Sequence, residues 1–352
     1  MKFESNLIIQ EDLELITSAS LPWEDLRNKT VMVTGGGGFL ASYLIKALLF
    51  ANAMHSLNIK VVCVVRCSGG GYVRLKDWIS NPNLAIYHQD ISETLQADFP
   101  HADIIIHAAS QASPKYYGVD PVGTLSPNSI GTLQLLQHAL RSNVSQFVFI
   151  SSGEVYGNPL SKDNLISEID FGSLDPVNVR SCYAESKRMG EAMCAAWGHQ
   201  YDLHTNIIRP FHTYGPGIAL NDGRVFADFV AAVVERRDIH LSSDGAALRP
   251  FCYLTDAIVG FLTILFKGQK GNAYNIGNPD AEISIRELAY LVANLFPERN
   301  IGVNFGSEKN LSGYMKSSVI RLSPNINKIK TLGWIPSIGI HEGFTRTIKS
   351  FL

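Results

Sequence analysis

Short apolar runs alternate with amphipathic stretches along the first two thirds of the chain. The amphipathic stretches carry apolar residues at helical spacing, and they predict helices over residues 129–141 and 183–196. The apolar runs are rich in β-branched residues and predict strands at Thr30–Thr34, Val61–Val65, Ala85–Tyr87, Ile104–His107, Gln146–Ile150 and His204–Arg209. Strands that alternate with helices in this way predict an α/β fold with a doubly wound parallel sheet.

Composition and charge narrow the classes of partner. The 352 residues are 46% apolar and 18% charged, with a formal net charge of −2, which gives no basis for nucleic acid or an anionic membrane as the main partner. The apolar stretches fall short of the about 18 residues that a membrane-spanning helix needs. The five cysteines are scattered, odd in number and without metal-ligand spacing. We therefore expect a cytoplasmic protein without a metal site.

A glycine-rich loop, TGGGGFLA (34–41), joins the first predicted strand to a helical pattern. Gly35, Gly38 and Ala41 follow the spacing G-x-x-G-x-x-A. The first glycine allows a tight turn, the second lets the backbone approach a pyrophosphate, and the small third residue lets the helix pack closely. The start of the helix then offers free N–H groups to phosphates. This context predicts a Rossmann-type dinucleotide site at Gly35, Gly38, Phe39 and Leu40.

The second predicted strand departs from the usual pattern of such sites. An acidic residue at its end normally holds the adenosine ribose, whereas here the strand is followed by Arg66. Arg66 either pairs with a 2′-phosphate, which favours NADP, or stacks on the adenine or faces solvent, so both NAD and NADP are retained as cofactors. Asp90 and Ile91, after the third strand, are placed to meet the edge of the adenine, and Asp90 suits a loop cap equally well.

The chain changes character after Pro210, where proline, glycine and asparagine mark long loops between short elements. We expect a dinucleotide-binding Rossmann domain over residues 29–210. Residues 1–28 are an N-terminal extension with a packing role. Residues 211–352 are mainly a smaller C-terminal substrate-binding lobe that is interleaved with the Rossmann domain.

A tyrosine and a lysine, Tyr183 and Lys187, lie four residues apart on one face of a predicted helix. A neighbouring ammonium favours the phenolate, which can take a proton from a hydroxyl while a hydride leaves the same carbon. Ser152 follows the end of the fifth strand, where side chains of such a sheet point into the ligand crevice, and it is placed to hydrogen-bond the reacting oxygen. The three residues predict a hydride-transfer centre in which Lys187 also holds the nicotinamide ribose.

Further motifs are spread from about Val31 to the C-terminus. They are TGGGGFLAS (34–42), His107-Ala108-Ala109, ASPKYYGVDP (112–121), NSIGTL (128–133), SSGEVYG (151–157), RSCYAESKRMGE (180–191), RPFHTYGP (209–216), NDGRV (221–225), RPFCYLTD (249–256) and NIGNP (275–279). Together they resemble the extended short-chain dehydrogenase/reductase family that modifies nucleotide sugars. Within that family the chain is most similar to the UDP-glucuronate decarboxylase (UDP-xylose synthase) type.

The resemblance implies a ligand pair and a first reaction step. NAD or NADP would contact Ala108 and Ala109 as well as the glycine loop. Tyr183, aided by Ser152 and Lys187, would oxidise carbon 4 of a nucleotide-diphosphate sugar to a ketone. The family often forms dimers through the helix that carries the tyrosine, which implies a homodimer.

The resemblance also implies residues on the substrate side of the site. Glu154 matches the active-site acid/base, and Arg249 would lie near the sugar carboxylate or the pyrophosphate. Tyr117 would lie close to the sugar ring, and Arg224 would contact the nucleotide or its phosphates. His212 belongs to the same substrate-binding set, although the family normally has asparagine at that position.

Gly153 leaves the fate of the ketone open. The chain reads Ser152-Gly153-Glu154, where decarboxylases usually read Thr-Ser-Glu and 4,6-dehydratases read Thr-Asp-Glu. Gly153 therefore lacks both the dehydratase acid and the decarboxylase hydroxyl. Decarboxylation is the first expectation. An epimerase and an NADPH-dependent 4-keto-sugar reductase are the alternative enzymes, and a cofactor-binding sensor or scaffold is the non-enzyme alternative.

Overall fold

The computed structural model describes residues 4–66, 72–159, 165–306 and 320–352. Within these ranges the strands are β1 (Thr30–Thr34), β2 (Lys60–Val65), β3 (Leu84–His88), β4 (Ile104–His107), β5 (Gln146–Ile150), β6 (Thr205–Pro210), β7 (Thr213–Tyr214), β8 (Ile239–Leu241), β9 (Leu248–Pro250), β10 (Cys252–Tyr253), β11 (Asn272–Ile276), β12 (Glu282–Ser284) and β13 (Val303–Phe305). The α-helices are α1 (Leu7–Ser18), α2 (Phe39–His55), α3 (Pro121–Ser126), α4 (Thr132–Arg141), α5 (Cys182–Gln200), α6 (Val225–Glu235), α7 (Leu254–Lys267), α8 (Ile285–Asn294), α9 (Asn327–Lys330) and α10 (Ile340–Lys349).

The central sheet has the order β3-β2-β1-β4-β5-β6-β11, with neighbouring strands parallel throughout. The chain reverses its direction of travel across the sheet between β1 and β4. In this fold class ligands bind at that point, outside the carboxyl ends of the strands. The predicted doubly wound Rossmann-type sheet is confirmed. The six predicted strands match β1 to β6 within one residue at each end, whereas β11 was not predicted. Five of the six runs are largely buried strands, and β3 is partly exposed.

The predicted helix over residues 129–141 is the last part of a longer helical run. It begins with α3, passes through a π-helical turn at Pro127–Gly131 and continues as α4. Asn128 lies in that turn, and its side-chain amide donates to Thr124 O at 3.1 Å and to Ser186 Oγ of α5 at 3.0 Å. These bonds fix the run against α5, the helix that carries Tyr183 and Lys187.

Residues beyond position 211 contribute to two cores. β11 and α7 complete the central sheet and its packing. A separate apolar cluster is formed by α6, α8 and α10 together with Phe251 and Tyr253. The boundaries of the three predicted parts of the chain stay a prediction.

The N-terminal segment packs through α1 onto α2 and α7. Asp12 in α1 is fully buried, and its carboxylate accepts hydrogen bonds from Tyr43 Oη (2.7 Å), Tyr253 Oη (2.9 Å) and Arg346 Nη2 (2.6 Å). A buried carboxylate is stable only with such partners. The segment therefore joins α2, the start of α7 and α10, through a buried carboxylate whose partners are far apart in the sequence.

Within the described ranges, no helix combines the length and the apolar character needed to cross a membrane. The same residues contain no cluster of three or more His, Cys, Asp or Glu side chains that could hold a metal ion. Cys63, Cys182, Cys194 and Cys252 are free thiols, and Cys67 lies outside the described residues.

Candidate active site

The carboxyl end of β5 meets α5 at the centre of the crevice. The hydroxyl of Tyr183 is hydrogen-bonded to Ser152. Lys187 Nζ donates to the carbonyl oxygen of Ile150 at 2.6 Å and lies 5.9 Å from the centre of the Tyr183 ring. Tyr183, Lys187 and Ser152 are 6%, 2% and 9% exposed. The structure thus brings together, in a nearly dry position, the three residues predicted to form the hydride-transfer centre.

Burial dominates the protonation of this group. Desolvation raises the pKa of Tyr183 to about 12, and the charge of Glu154 raises it too, while the bond to Ser152 and the charge of Arg224 lower it. Desolvation also lowers the pKa of Lys187 to about 7. In the protein itself, Ser152 and Arg224 rather than Lys187 favour the phenolate. Burial outweighs both, so Tyr183 is a phenol at neutral pH before ligands bind.

Tyr117 packs directly against the reactive tyrosine. The two rings are stacked with centres 5.2 Å apart and an interplanar angle of 15°. Tyr117 is buried, and its hydroxyl donates to Ala112 O at 3.1 Å. The stacked ring limits the movement of the Tyr183 ring and excludes water from one of its faces.

Glu154 lies between two arginines at the more open side of the site. Its Oε2 is 3.8 Å from Arg180 Nη1, and the side chains of Glu154 and Arg180 are 35% and 20% exposed. Desolvation raises the pKa of Glu154, whereas the charges of Arg180 and Arg249 lower it. A carboxyl group in this setting can hold a proton and release it to a substrate.

Gly153 begins a short 3-10 helix, Gly153–Tyr156, directly after Ser152. A β-carbon on Gly153 would lie 3.0 Å from ring carbons of Phe211, which is tighter than an ordinary contact. The Phe211 ring thus fills the space that a side chain at this position would use. Packing against Phe211 therefore leaves little room for a side chain with a hydroxyl or carboxyl group at this position.

His212 lies next to Arg224 and Arg249. Its ring packs edge-on against Phe251, with centres 5.9 Å apart. Burial, with the charges of Arg249 and Arg224 acting in the same direction, lowers the pKa of His212 to about 3, so the imidazole is neutral. Its Nδ1 is buried and has no hydrogen-bond partner within the described part of the chain. An unpaired polar atom at a site is a ready partner for a ligand group.

The two arginines on the substrate side are themselves held in place. Arg224 precedes α6 and forms an ion pair with Asp222, with Nη2 3.1 Å from Oδ2. Arg249 Nη1 donates to the carbonyl oxygens of Leu248 (2.7 Å) and Ile320 (2.9 Å). Arg224 also lies close enough to Tyr117 and Tyr183 to lower the pKa of both. Of the predicted substrate residues, Tyr117 and Arg224 therefore lie near Tyr183, while the charge of Arg249 acts on Glu154 and His212.

The glycine loop fits a dinucleotide. Gly35 has φ +67°, and a β-carbon there would lie 2.5 Å from Ala109 Cα, so only glycine allows this contact with the Ala108-Ala109 backbone. α2 begins at Phe39 after Gly38, and no side chain in the described ranges caps it. The first N–H groups of the helix, including that of Leu40, are thus available to a pyrophosphate.

His107 lies beneath this loop. It is fully buried, with Nδ1 2.8 Å from Thr34 Oγ1 and Nε2 3.1 Å from Pro127 O. Because a carbonyl oxygen can only accept, Nε2 carries the proton. Burial lowers the pKa of His107 to about 3, with the charge of Lys187 acting in the same direction. The imidazole is a neutral link between β1 and the helical run that starts with α3.

The predicted adenosine contacts lie apart from the reactive group. Arg66 is exposed at the end of β2, and its charge lowers the pKa of Asp120. Asp90 Oδ1 accepts from Ser92 N at 2.9 Å, which is the loop-cap role. Ile91 is buried and packs beneath Gly131. Contact of these three predicted residues with a cofactor stays a prediction.

Sequence reasoning missed two parts of the site. Arg180 directly precedes the Tyr183 motif, but its partner Glu154 is 26 positions away and the pair is visible only after folding. The second part is a buried network around Glu191 and Arg209, in which Arg209 Nη2 and Nε lie 2.6 and 2.9 Å from the Glu191 carboxylate. The spacing of Glu191 four residues after Lys187 was the available signal.

The comparisons with known proteins agree with this geometry. Residues 31–277 match the model of the NAD dependent epimerase/dehydratase family. UDP-glucuronic acid decarboxylase 6 of Arabidopsis thaliana is 33% identical over 325 residues, which are 92% of this chain and 89% of that protein. A dTDP-glucose 4,6-dehydratase from Streptomyces venezuelae, solved with NAD, has a TM-score of 0.78 at 26% identity, covering 92% of this chain and 96% of that one.

The fold is shared more widely. UDP-glucuronic acid 4-epimerase from Bacillus cereus, solved with UDP-glucuronic acid and NAD, has a TM-score of 0.76 at 23% identity, covering 92% of this chain and 98% of that one. Fold and site together define a nicotinamide-dependent enzyme that modifies nucleotide sugars. The chain belongs to the NAD dependent epimerase/dehydratase family. The sequence-based predictions of an NAD- or NADP-dependent enzyme and of this family are confirmed.

Proposed function

We propose that the protein oxidises carbon 4 of a nucleotide-linked uronic acid and releases the sugar carboxylate as carbon dioxide, with UDP-glucuronate as substrate. The observation that carries the proposal is Glu154, which lies among Arg180, Arg249 and the Tyr183 group. Two arginines suit a second carboxylate on the substrate. Identity to a UDP-glucuronic acid decarboxylase over 92% of the chain supports the same reaction.

The first step uses the buried group. Gly35, Gly38, Phe39, Leu40, Ala108 and Ala109 would hold the dinucleotide, whose nicotinamide supplies the hydride acceptor. Tyr183 acts from its phenolate form, which the positive charge of a bound nicotinamide would favour. It takes the proton of the carbon-4 hydroxyl while Ser152 donates a hydrogen bond to the same oxygen. Lys187 holds the carbonyl of Ile150 and thereby the end of β5 beside that oxygen. The product of this step is a 4-keto sugar.

The second step uses the open side of the site. In a 4-keto uronic acid the carboxylate is β to the ketone, so the bond between carbons 5 and 6 breaks and its electron pair forms an enolate on carbon 4. Ser152 and Tyr183 hydrogen-bond the enolate oxygen, and Glu154 gives a proton to carbon 5. Return of the hydride to carbon 4 and of the Tyr183 proton to its oxygen gives a pentose nucleotide.

The test is product analysis with purified protein, NAD and UDP-glucuronate. We expect carbon dioxide and a UDP-pentose, and no change in UDP-glucose, which lacks the carboxylate. UDP-glucuronate recovered unchanged would overturn the proposal. A 4-epimer formed without carbon dioxide would support the epimerase. Consumption of NADPH with a 4-keto-6-deoxy sugar nucleotide would support the reductase.

The 4-epimerase is the second candidate because of Gly153. Phe211 fills the space beside this residue, so Ser152 and Glu154 are the polar groups that this stretch offers to the sugar. A site with fewer acids next to the ketone favours simple return of the hydride, from either face of the sugar, over bond cleavage.

We also propose that the enzyme is a cytoplasmic homodimer that pairs through α3, the π-helical turn at Pro127–Gly131 and α5. Exposed apolar side chains line this side of the molecule at Val122, Leu125, Ile130 and Met189. Such a surface favours association. Sedimentation of the purified protein should give twice the mass of the chain, and a monomer at micromolar concentration would contradict the dimer.

A further inference from the structure

We propose that Glu191 is a positioning residue. With Tyr183 and Lys187 it forms a row of side chains on one face of α5, the ladder, which holds residues 150–152 at the carboxyl end of β5 in the positions needed for the reaction. The inference rests on the proposed function, because the positions of residues 150–152 matter only if Tyr183 and Ser152 act on the substrate. It adds a third residue, without substrate contact, to the predicted pair.

The ladder contacts three consecutive residues. Tyr183, Lys187 and Glu191 follow one another at intervals of four, so they share one helical face. Tyr183 is hydrogen-bonded to Ser152, and Lys187 Nζ donates to Ile150 O at 2.6 Å. Ser151 Oγ donates to Glu191 Oε1 at 2.5 Å. Residues 150, 151 and 152 thus each contact a different side chain of the ladder.

Glu191 is fixed from the other side by β6. Arg209 binds its carboxylate through Nη2 (2.6 Å) and Nε (2.9 Å), a two-pronged contact that is geometrically specific. Arg209 Nη1 donates to Tyr156 Oη at 2.8 Å, and Tyr156 Oη donates to Asn275 Oδ1 of β11 at 2.6 Å. The ladder is therefore anchored to the two strands beyond β5 as well as to the 3-10 helix that carries Glu154.

The charge of Glu191 also acts on Lys187. Burial lowers the pKa of Lys187 to about 7, and the Glu191 carboxylate opposes that shift. The other groups facing Lys187 include Tyr183 and Cys194 of α5, His107 of β4 and the Phe149 ring of β5, and Arg209 of β6 faces Glu191. Since Cys194 and His107 are neutral, the Glu191 carboxylate is the negative charge that favours the protonated form of Lys187, the form that donates to Ile150.

The test measures Lys187 directly and needs no substrate. Lysine is labelled with ¹³C at Cε, the Lys187 signal is assigned by its loss in Lys187→Met, and its pH titration is compared in wild type and Glu191→Gln. We expect the Lys187 pKa to fall by about one pH unit in Glu191→Gln, because a nearby opposite charge is lost. The matched control is Glu185→Gln on the same helix, whose carboxylate pairs with Arg188 near the surface, and it should leave the titration unchanged.

An unchanged Lys187 titration in Glu191→Gln would overturn the inference. Glu191→Gln leaves Arg209 with an unpaired buried charge, so the double variant Glu191→Gln/Arg209→Gln is measured if the single variant does not fold. The proposed function is checked separately with Tyr183→Phe. Full activity in Tyr183→Phe refutes the proposed function. If Tyr183→Phe is inactive but the Lys187 pKa is the same in Glu191→Gln as in wild type, only the role of Glu191 is refuted.

Discussion

The two sides of the site are built differently. Tyr183, Lys187 and Ser152 are at most 9% exposed and are tied to the sheet by internal hydrogen bonds. Glu154 and Arg180 are 35% and 20% exposed and meet at 3.8 Å, longer than a hydrogen bond. The contrast teaches that the redox group is preorganised by internal hydrogen bonds, whereas the contact between Glu154 and Arg180 on the charged side is longer and more exposed.

The largest effect should come from the preorganised side. Tyr183→Phe removes the hydroxyl that we propose takes the substrate proton, so turnover should fall by about 10²- to 10⁴-fold with little change in KM. Steady-state rates of product formation measure this. Tyr201→Phe, an exposed tyrosine at the end of α5, is the control and should keep full activity. Retained activity in Tyr183→Phe would place the chemistry elsewhere.

A change on the open side should separate the two steps. Glu154→Gln removes the proposed proton donor for carbon 5 and should slow formation of the UDP-pentose by about 10²-fold, while reduction of the cofactor by UDP-glucuronate continues. Cofactor reduction is measured by stopped-flow absorbance, and product formation is measured by mass spectrometry on the same reaction. Glu235→Gln, in an exposed pair with Arg237, is the control. Loss of cofactor reduction in Glu154→Gln would mean that Glu154 belongs to the redox group.

The cofactor end of the preorganised side offers a smaller effect. Arg66→Ala should weaken NADP binding about tenfold and leave NAD binding unchanged, because a guanidinium bond to the 2′-phosphate is lost. Calorimetric titration of both cofactors measures the difference. Arg141→Ala, at the end of α4, should change neither. Equal NADP affinity in wild type and Arg66→Ala would assign Arg66 to the adenine or to solvent.

The last prediction concerns stability rather than catalysis. The pKa of His107 is about 3 in the fold and about 6.5 in an unfolded chain, so the unfolded state binds the extra proton between these values. The free energy of unfolding should therefore fall as the pH is lowered from 6.5 towards 3, by about 1.4 kcal/mol for each pH unit from this group. Urea titrations should show a shallower fall in His107→Asn. Equal pH slopes in both proteins would contradict a buried neutral imidazole.

Much of the preorganised side could be predicted from sequence. Strands such as Gln146–Ile150 are short apolar runs, and the glycine loop, Ser152 and the Tyr183–Lys187 spacing are local patterns whose context is also local. A position such as Gly35 can be recognised because close backbone approach demands glycine.

The remaining features depend on contacts between distant residues. Asp12 meets Arg346 across 334 positions, and Glu191 meets Arg209 from a neighbouring strand. The pKa of Tyr183 could not be anticipated either, because burial outweighs the favourable charges and only the packed structure reveals how dry the ring is. The proximity of Gly153 to the Phe211 ring, which bears on the proposed fate of the ketone, arises only after folding.

The most direct test of the redox centre is a single turnover of protein loaded with NAD and mixed with UDP-glucuronate, followed by the near-ultraviolet absorbance of reduced nicotinamide. We predict a transient rise in wild type, before the pentose nucleotide appears, and no rise in Tyr183→Phe. Product formed by wild type without any reduction of the cofactor would contradict the account.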